Sequence, residues 1–394
     1  MSNTVIEKSA TAPAGLGATP PLATVSPLNI VHVVRQFHPS TGGLEDFVDH
    51  LTREQVAAGH KVRIITCNQV FATLEDLPAS AYDDGRQIIR VPFRGPSKYP
   101  IAPDVLRHFE GADLVHVHAI DFFFDFLSAT RFIHRKPLVA TTHGGFFHTQ
   151  DMATIKKIWF QTLTRISALG YGRIIGCSQN DTRNFQAIAG QRVQTIDNGV
   201  DIAKFADCAS RKAVPNIVTL GRFSKNKRLD RMIAVMAHLP SRWTLDIIGA
   251  ESDWSAADLH EMIADADVAD RVRVHVRPSN EAIADLMGGA SLFASASEFE
   301  GFGLAVVEAM SAGLVPVLEA NSTFVDLAGR HDLVTLTQFE NPALAAEQFK
   351  ETFEKIEQSK VSMRQQAMDR AQLYAWPQVA ARYEDAYAAV LADR

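Results

Sequence analysis

Residues 291–318, SLFASASEFEGFGLAVVEAMSAGLVPVL, constrain the fold more than any other stretch of the chain. Residues 291–295 and 314–318 are short apolar runs, the kind a parallel sheet uses when both its faces are covered. Between them, residues 304–312 hold helix formers and small side chains, opened by Gly301-Phe302-Gly303 and closed by Gly313. A glycine just past the last periodic residue ends a helix in the left-handed conformation. The pattern predicts strand, glycine turn, helix, strand. In an open parallel sheet such a turn lies at the carboxyl end of a strand, where ligands bind, and the free amides of the helix start favour an anion.

The acids sharpen this. From 304 to 318 the only charged residue is Glu308, and a charge on so apolar a helix needs a partner or a ligand. Glu300 precedes the glycine turn and so falls at the mouth of the same crevice. The spacing fits two carboxylates that engage two parts of an elongated polar ligand. It also fits a plainer arrangement, with Glu298 and Glu300 as loop acids and Glu308 solvated.

A chain of 394 residues has material for two domains, each with its own core. Apolar residues make up 46% and charged residues 21%, an ordinary soluble composition. The net charge of −6 provides no basic field for nucleic acid. Cys67, Cys177 and Cys208 are unevenly spaced, which suits a reducing cytosol better than a disulfide framework or a zinc site. No apolar run reaches the ~20 residues of a spanning helix. Residues 1–27, rich in Ala, Pro, Thr and Ser, lack the basic start and apolar core of a signal peptide and read as a disordered tail.

Taken in order, residues 28–34 (LNIVHVV) form a central strand, and Gly42-Gly43 open a helix with Leu44, Phe47, Val48, Leu51 and Val56 on its apolar face. With a strand at 62–66 this is a βαβ unit whose first turn is either a phosphate-facing loop or a structural turn. Strands follow at 88–91 and 114–117, the second placing His116 and His118 on one face. No third ligand lies near them in sequence, so structural histidines are favoured over a metal pair. The strand at 137–142 runs into His143-Gly144-Gly145. This histidine is either an ordinary loop residue or one that projects into the crevice for hydrogen bonding or proton exchange. Residues 154–171 combine Lys156, Lys157 and Arg165 with an apolar face, fit to lie on an anionic membrane or to pack on the sheet.

A strand at 173–177 leads into a helix opened by Ser178 and Asp181, and one at 193–196 into the turn Asn198-Gly199-Val200-Asp201. After the strand 216–220 comes GRFSKNKRLD, with four cations (Arg222, Lys225, Lys227, Arg228) in seven residues. That is an anion site or a solvated basic loop. Strands at 244–249 and 272–276 and a helix at 281–287 precede the organising stretch. Helices at 343–356, 361–374 and 376–391 close the chain, the last with Trp376, Val379, Tyr383 and Tyr387.

EGFGLAVVEAMSAGLVPV resembles the Glu-x7-Glu signature of the family-4 retaining glycosyltransferases, which act on nucleotide sugars and have the GT-B fold. The resemblance implies an α/β chain of two Rossmann-like domains whose parallel sheets face a central cleft. It implies domains at 28–205 (acceptor) and 216–374 (nucleotide sugar), a linker at 206–215, and a helix at 375–394 crossing back to the first domain. By the same resemblance Glu300 contacts the donor sugar and Glu308 the ribose, while the amides of Phe302, Gly303 and Leu304 face sugar and diphosphate. Gly-Arg-x4-Lys places Arg222 and Lys227 on the diphosphate; most members have glycine next, where this chain has Arg228. His143 follows the strand whose histidine contacts the donor sugar and helps position the acceptor. Gly42 and Gly43 match a loop near diphosphate and acceptor, and Ser178 a cleft-facing serine.

Transfer with retention, catalysed around His143 and Glu300 with the two cations in place of a metal, is the implied chemistry. Glu300 is not assigned as a covalent nucleophile, since that scheme needs a carboxylate pair flanking one bond. THGGFFHT and the basic helix together resemble bacterial exopolysaccharide mannosyltransferases, which implies GDP-mannose as donor and a polyprenyl-diphosphate-linked glycan as acceptor. It also implies a cytoplasmic protein lying peripherally on the inner membrane face. A UDP-glucose or UDP-galactose donor, a GT-B nucleotide-sugar 2-epimerase and a non-catalytic partner subunit are the alternatives.

Overall fold

The computed structural model describes residues 26–144, 159–359 and 362–393. Gly145, Lys156 and Lys157 of the sequence reading, and nearly all of the N-terminal tail, lie outside them. The first sheet contains β1 (Asn29–Val33), β2 (Lys61–Cys67), β5 (Ser80–Asp83), β6 (Arg86–Val91), β7 (Leu114–His118), β8 (Leu138–Thr141), β9 (Arg173–Gly176) and β10 (Val193–Thr195). A ribbon of β3 (Gln69–Val70) and β4 (Glu75–Asp76) stands beside it. The order is β10-β9-β8-β7-β1-β2-β6-β5, parallel except for the edge pairing of β5 with β6. That edge hairpin was not foreseen, because its residues SAYD lack the apolar run of a central strand.

The second sheet contains β11 (Asn216–Leu220), β12 (Thr244–Gly249), β13 (Val272–Val276), β14 (Leu292–Ser295), β15 (Val315–Glu319) and β16 (Thr335–Thr337). Its order, β13-β12-β11-β14-β15-β16, is parallel throughout. The expected α/β architecture of two parallel sheets is therefore the architecture observed. In each sheet the strand order reverses beside the first strand, between β1 and β7 and between β11 and β14, and a crevice opens at the carboxyl ends there.

Register follows from burial. The apolar residues of β1, Ile30, Val31 and Val33, are at most 2% exposed, so both faces of that strand are covered. The one polar residue among them, His32, lies opposite His116 of β7, and His118 lies opposite Thr141 of β8. A polar seam thus runs through an otherwise apolar sheet.

In the organising stretch, the helix Leu304–Ala312 starts at Gly303 (φ 91°) and stops at Gly313 (φ 101°), both left-handed. Glycine adopts that region without the Cβ penalty. A helix at Ser322–Ala328 was not foreseen; Asn321 opens it by accepting from the Phe324 amide at 2.9 Å. The expected helix at 361–374 is Met363–Ala371 followed by a tighter turn, Gln372–Tyr374. The described part of the basic helix contains a π turn, Phe160–Thr164, before Arg165–Ala168.

The terminal helix Trp376–Ala392 packs on the first lobe, against the helix Gly43–Ala57, where the Gln55 amide donates to the Tyr387 hydroxyl at 3.1 Å. A Cβ on Gly199 would lie 2.3 Å from the Trp376 ring, so the glycine of NGVD makes room for that crossing. Arg183 with Asp326 (2.8 Å) and Arg330 with Asp197 are further ties between the lobes.

Candidate active site

Between the lobes lies a cavity of about 990 Å³, at the upper end of the size range of small-molecule sites. Its second-lobe wall is charged. Three backbones converge there: the turn after β11, the turn after β14 and the start of the helix Leu304–Ala312. Gly249 lets the first of them approach, since a Cβ on it would lie 1.7 Å from the Gly221 carbonyl oxygen. Lys227 Nζ meets Glu300 Oε1 at 2.5 Å, and Lys204 Nζ meets Glu308 Oε1 at 3.2 Å. Glu308 therefore has the cationic partner that its apolar helix demands. Among the described residues the exposed Arg222 guanidinium pairs with no carboxylate. The helix start has no side-chain cap, which leaves its first amides open to an anion.

Asn226 joins the basic turn to the acidic one. Its side chain donates to the Phe299 carbonyl at 2.8 Å and accepts from the Phe299 amide at 3.1 Å. Sequence reasoning passed over it as one polar residue in a polar loop. Arg228 adopts the left-handed conformation (φ 49°, ψ 46°), the region a glycine would enter without strain. Its guanidinium holds Asp230 at 2.8 Å and Glu298 at 2.5 Å. The turn that the missing glycine left open is therefore kept by two ion pairs.

The first-lobe wall is nearly neutral. His143, just past β8, is left-handed (φ 54°) and packs edge-on against Phe47 with ring centroids 4.7 Å apart. Its Nε2 meets His118 Nδ1 at 3.1 Å. Burial, with a smaller effect of Arg35, lowers the His143 pKa to about 3. The ring is neutral at physiological pH. In that form one ring nitrogen can donate a hydrogen bond and the other can accept one. Asp181 is pushed up to about 6 by burial and receives the Thr142 hydroxyl. Ser178 caps the helix Gln179–Ala189, its Oγ accepting from the Asp181 amide at 3.2 Å.

His143, Ser178, Arg222, Lys227, Glu300, Phe302, Gly303, Leu304 and Glu308 all line the cavity. Gly42 and Gly43 do not; the Glu45 carboxylate covers Gly42, with Oε2 2.7 Å from where a Cβ would stand. Asn180, Asn198 and Asp253 also line the cavity, and no spacing in the sequence marks them. The reading of His116 and His118 as lacking a third partner is corrected as well. His32, from the adjacent strand, brings a third imidazole, with nitrogens of the three rings within 4.8 Å of one another. Each of their ring nitrogens already has a hydrogen-bond partner. The His116 and His118 rings are tilted by 33° with centroids 4.1 Å apart.

Residues 41–204 match the profile of Glycosyltransferase Family 4, and residues 203–373 that of Glycosyl transferases group 1. A GDP-mannose:cellobiosyl-diphosphopolyprenol alpha-mannosyltransferase of Komagataeibacter xylinus is 40% identical over 368 residues, 92% of this chain and 94% of that protein. The protein of that name from Xanthomonas campestris is 40% identical over 370 residues, 92% of this chain and 97% of the relative. Among solved structures, a glycosyltransferase from Rickettsia africae superposes with a TM-score of 0.70 at 15% identity, over 94% of this chain and 100% of that one. Anabaena HepE in complex with UDP superposes with a TM-score of 0.68 at 18% identity, over 91% and 99%. Likeness at such identities speaks for the two-lobed GT-B fold alone.

Proposed function

The chain belongs to glycosyltransferase family 4, and from that premise we propose that it transfers α-mannose from GDP-mannose to a polyprenyl-diphosphate-linked oligosaccharide, cellobiosyl-diphosphopolyprenol by the name of its relatives. The observation that carries the reading is 40% identity sustained over more than nine-tenths of both chains. The cleft chemistry supports it.

Arg222 and Lys227 face the nucleotide diphosphate and stabilise the charge that develops as it leaves, the electrostatic contribution that weighs most in such transfers. They stand where a divalent cation would otherwise neutralise the diphosphate, so the proposed reaction needs no metal. Glu308 binds the ribose hydroxyls. Glu300, paired with Lys227, orients the mannose and offsets positive charge near its anomeric carbon. The amides of Phe302, Gly303 and Leu304 face sugar and diphosphate, and neutral His143 hydrogen-bonds to the sugar from the opposite wall. The acceptor hydroxyl oxygen bonds to the anomeric carbon on the face from which the diphosphate departs and passes its proton to the departing oxygen, so GDP leaves and configuration is retained.

The lipid acceptor calls for a membrane-facing surface. Phe132, Ile133, Ile166 and Leu169 are each more than 60% exposed. They lie on two segments that both pack against the helix Phe122–Ala129, beside Arg131, Lys136 and Arg165. This basic, apolar face fits an anionic lipid surface and supports a peripheral position on the inner membrane face. Among the described residues no helix is long and apolar enough to cross a membrane.

The test is a donor screen. Purified protein is given radiolabelled GDP-mannose, UDP-glucose or UDP-galactose with the lipid-linked disaccharide. Mannosylated lipid from GDP-mannose is expected, and product from a uridine donor alone would overturn the mannosyl assignment. Flotation with anionic and with neutral vesicles tests the surface; equal recovery with both would refute it.

A further inference from the structure

Behind His143 runs a chain of buried side chains whose hydrogen-bond directions depend on one another. It starts at Gln55, which shares one face of its helix with Phe47 and Leu51. The Gln55 amide nitrogen donates to Tyr387 Oη at 3.1 Å, so its carbonyl oxygen Oε1 faces His32 Nε2, 2.7 Å away. That oxygen can only accept, so His32 bears its proton on Nε2. In a neutral imidazole one nitrogen donates and the other accepts. His32 Nδ1 must then accept from His118 Nε2, at 2.9 Å. His118 Nδ1 in turn accepts from His143 Nε2, at 3.1 Å. Among the described residues, the second nitrogen of His143, Nδ1, has the Cys177 sulfur beside it at 4.0 Å, and it is left as the lone-pair atom.

We infer that Gln55, His32 and His118 are positioning residues that hold His143 with its proton on Nε2, so that Nδ1 accepts a hydrogen bond from a hydroxyl of the sugar or the acceptor. The inference rests on the transferase reading for its kinetic consequence, though not for the tautomer itself.

The deduction requires neutral rings. Burial lowers the pKa of His32 to about 4 and that of His118 well below its usual value. A second branch obeys the same directions. Tyr387 donates to His116 Nδ1 at 2.7 Å, His116 Nε2 donates to Thr141 Oγ1 at 2.7 Å, and the Thr141 hydroxyl donates to Tyr383 Oη at 3.2 Å. Tyr383 and Tyr387 come from the terminal helix. The part of the chain that crosses back between lobes thus anchors the tautomer of a cleft residue. Rotating the Gln55 amide by half a turn would reverse every donor in both branches, which makes the direction a property of the whole network.

Nitrogen-15 spectra of the imidazoles in the full chain at pH 7, without substrate, read the tautomers directly; the His143 signals are assigned by their loss in His143→Asn. Protonation of His143 on Nε2 is expected in the wild type. His118→Phe and Gln55→Met should each turn that signal into an average of both tautomers. They should also slow kcat for mannosyl transfer about tenfold, the worth of one lost hydrogen bond, with KM for GDP-mannose within about twofold. His118→Asn, whose Oδ1 can accept where Nδ1 did, should restore both readouts. A wild-type His143 protonated on Nδ1, or a His143 tautomer indifferent to Gln55→Met, overturns the inference, and neither result depends on whether His118→Phe folds. Wild-type protein that transfers no mannose would instead refute the donor assignment and leave the spectra to decide the tautomer.

Discussion

The two walls of the cleft handle polarity in opposite ways. On the second lobe, charge is paired with charge: Lys227 with Glu300, Lys204 with Glu308, Arg228 with Asp230 and Glu298. These groups are partly exposed to solvent. On the first lobe His32, His116, His118 and His143 are kept neutral by burial. On the proposed reading, the charged wall holds the diphosphate and one side of the sugar, and the other wall offers the sugar neutral hydrogen bonds. Cations suit a diphosphate, whereas neutral directional donors and acceptors suit hydroxyls and cost less to bury.

The contrast would break most visibly at Lys227. Lys227→Ala removes a cation from the leaving group and strands Glu300, so kcat/KM should fall by about 100-fold or more, with weaker GDP binding by calorimetry. Unchanged GDP affinity would dissolve the charged wall as a diphosphate site. His143→Ala touches the neutral wall and should lower kcat by about tenfold while GDP affinity holds. A matching loss of GDP binding would erase the division between the walls.

Acid sharpens the comparison. Unfolded histidines titrate near pH 6.5, whereas folded His32 and His143 titrate at about 4 and about 3. On acidification the unfolded chain takes up those protons first, so their stabilisation is full above about pH 6.5 and is lost as pH falls toward 4. Asp121 and Asp181, raised by burial to about 7 and about 6, act in the opposite sense. Glu54 and Asp125, raised by burial too, join them. The imidazoles lowered by burial (His32, His108, His116, His118, His134, His143 and His331) outnumber these acids, and urea midpoints should drop between pH 7.5 and 5. A rising midpoint would contradict the neutral seam.

Two smaller effects concern the charged wall. Arg228→Gly removes left-handed strain of about 1–2 kcal/mol and two half-exposed ion pairs worth roughly 0.2–1 kcal/mol each. Urea denaturation should show a change within about 1 kcal/mol; a larger loss would mean that the pairs hold the whole basic turn. Chelation with EDTA should leave the transfer rate unchanged, and loss of activity restored by a divalent cation would show that Arg222 and Lys227 do not suffice.

Much of the charged wall was legible in advance, because local spacing builds it. Glu300, the glycine turn and Glu308 lie on one strand-turn-helix unit, and Arg222 and Lys227 lie on one loop. Strand and helix periodicity alone bring such neighbours to the carboxyl end of a sheet. The neutral wall was mostly hidden. His32, Gln55, His118 and Tyr387 come from four elements, and nothing in the stretch around Gln55 or Tyr387 marks either as more than a helix residue. Gly42 and Gly43 are the converse case, since a glycine pair at a first turn is the same sequence whether or not it faces a ligand, and only the structure shows the Glu45 carboxylate beside Gly42.

The chain by itself dictated two parallel sheets, a glycine-bounded helix start and the acids and cations around it, because apolar periodicity and glycine conformation act over a few residues. Register between β1, β7 and β8, and the return of the terminal helix, decided which histidines meet and which way their protons point. A hydrogen bond needs its partner within about 3 Å, and only packing of the whole chain determines that distance for residues far apart in sequence.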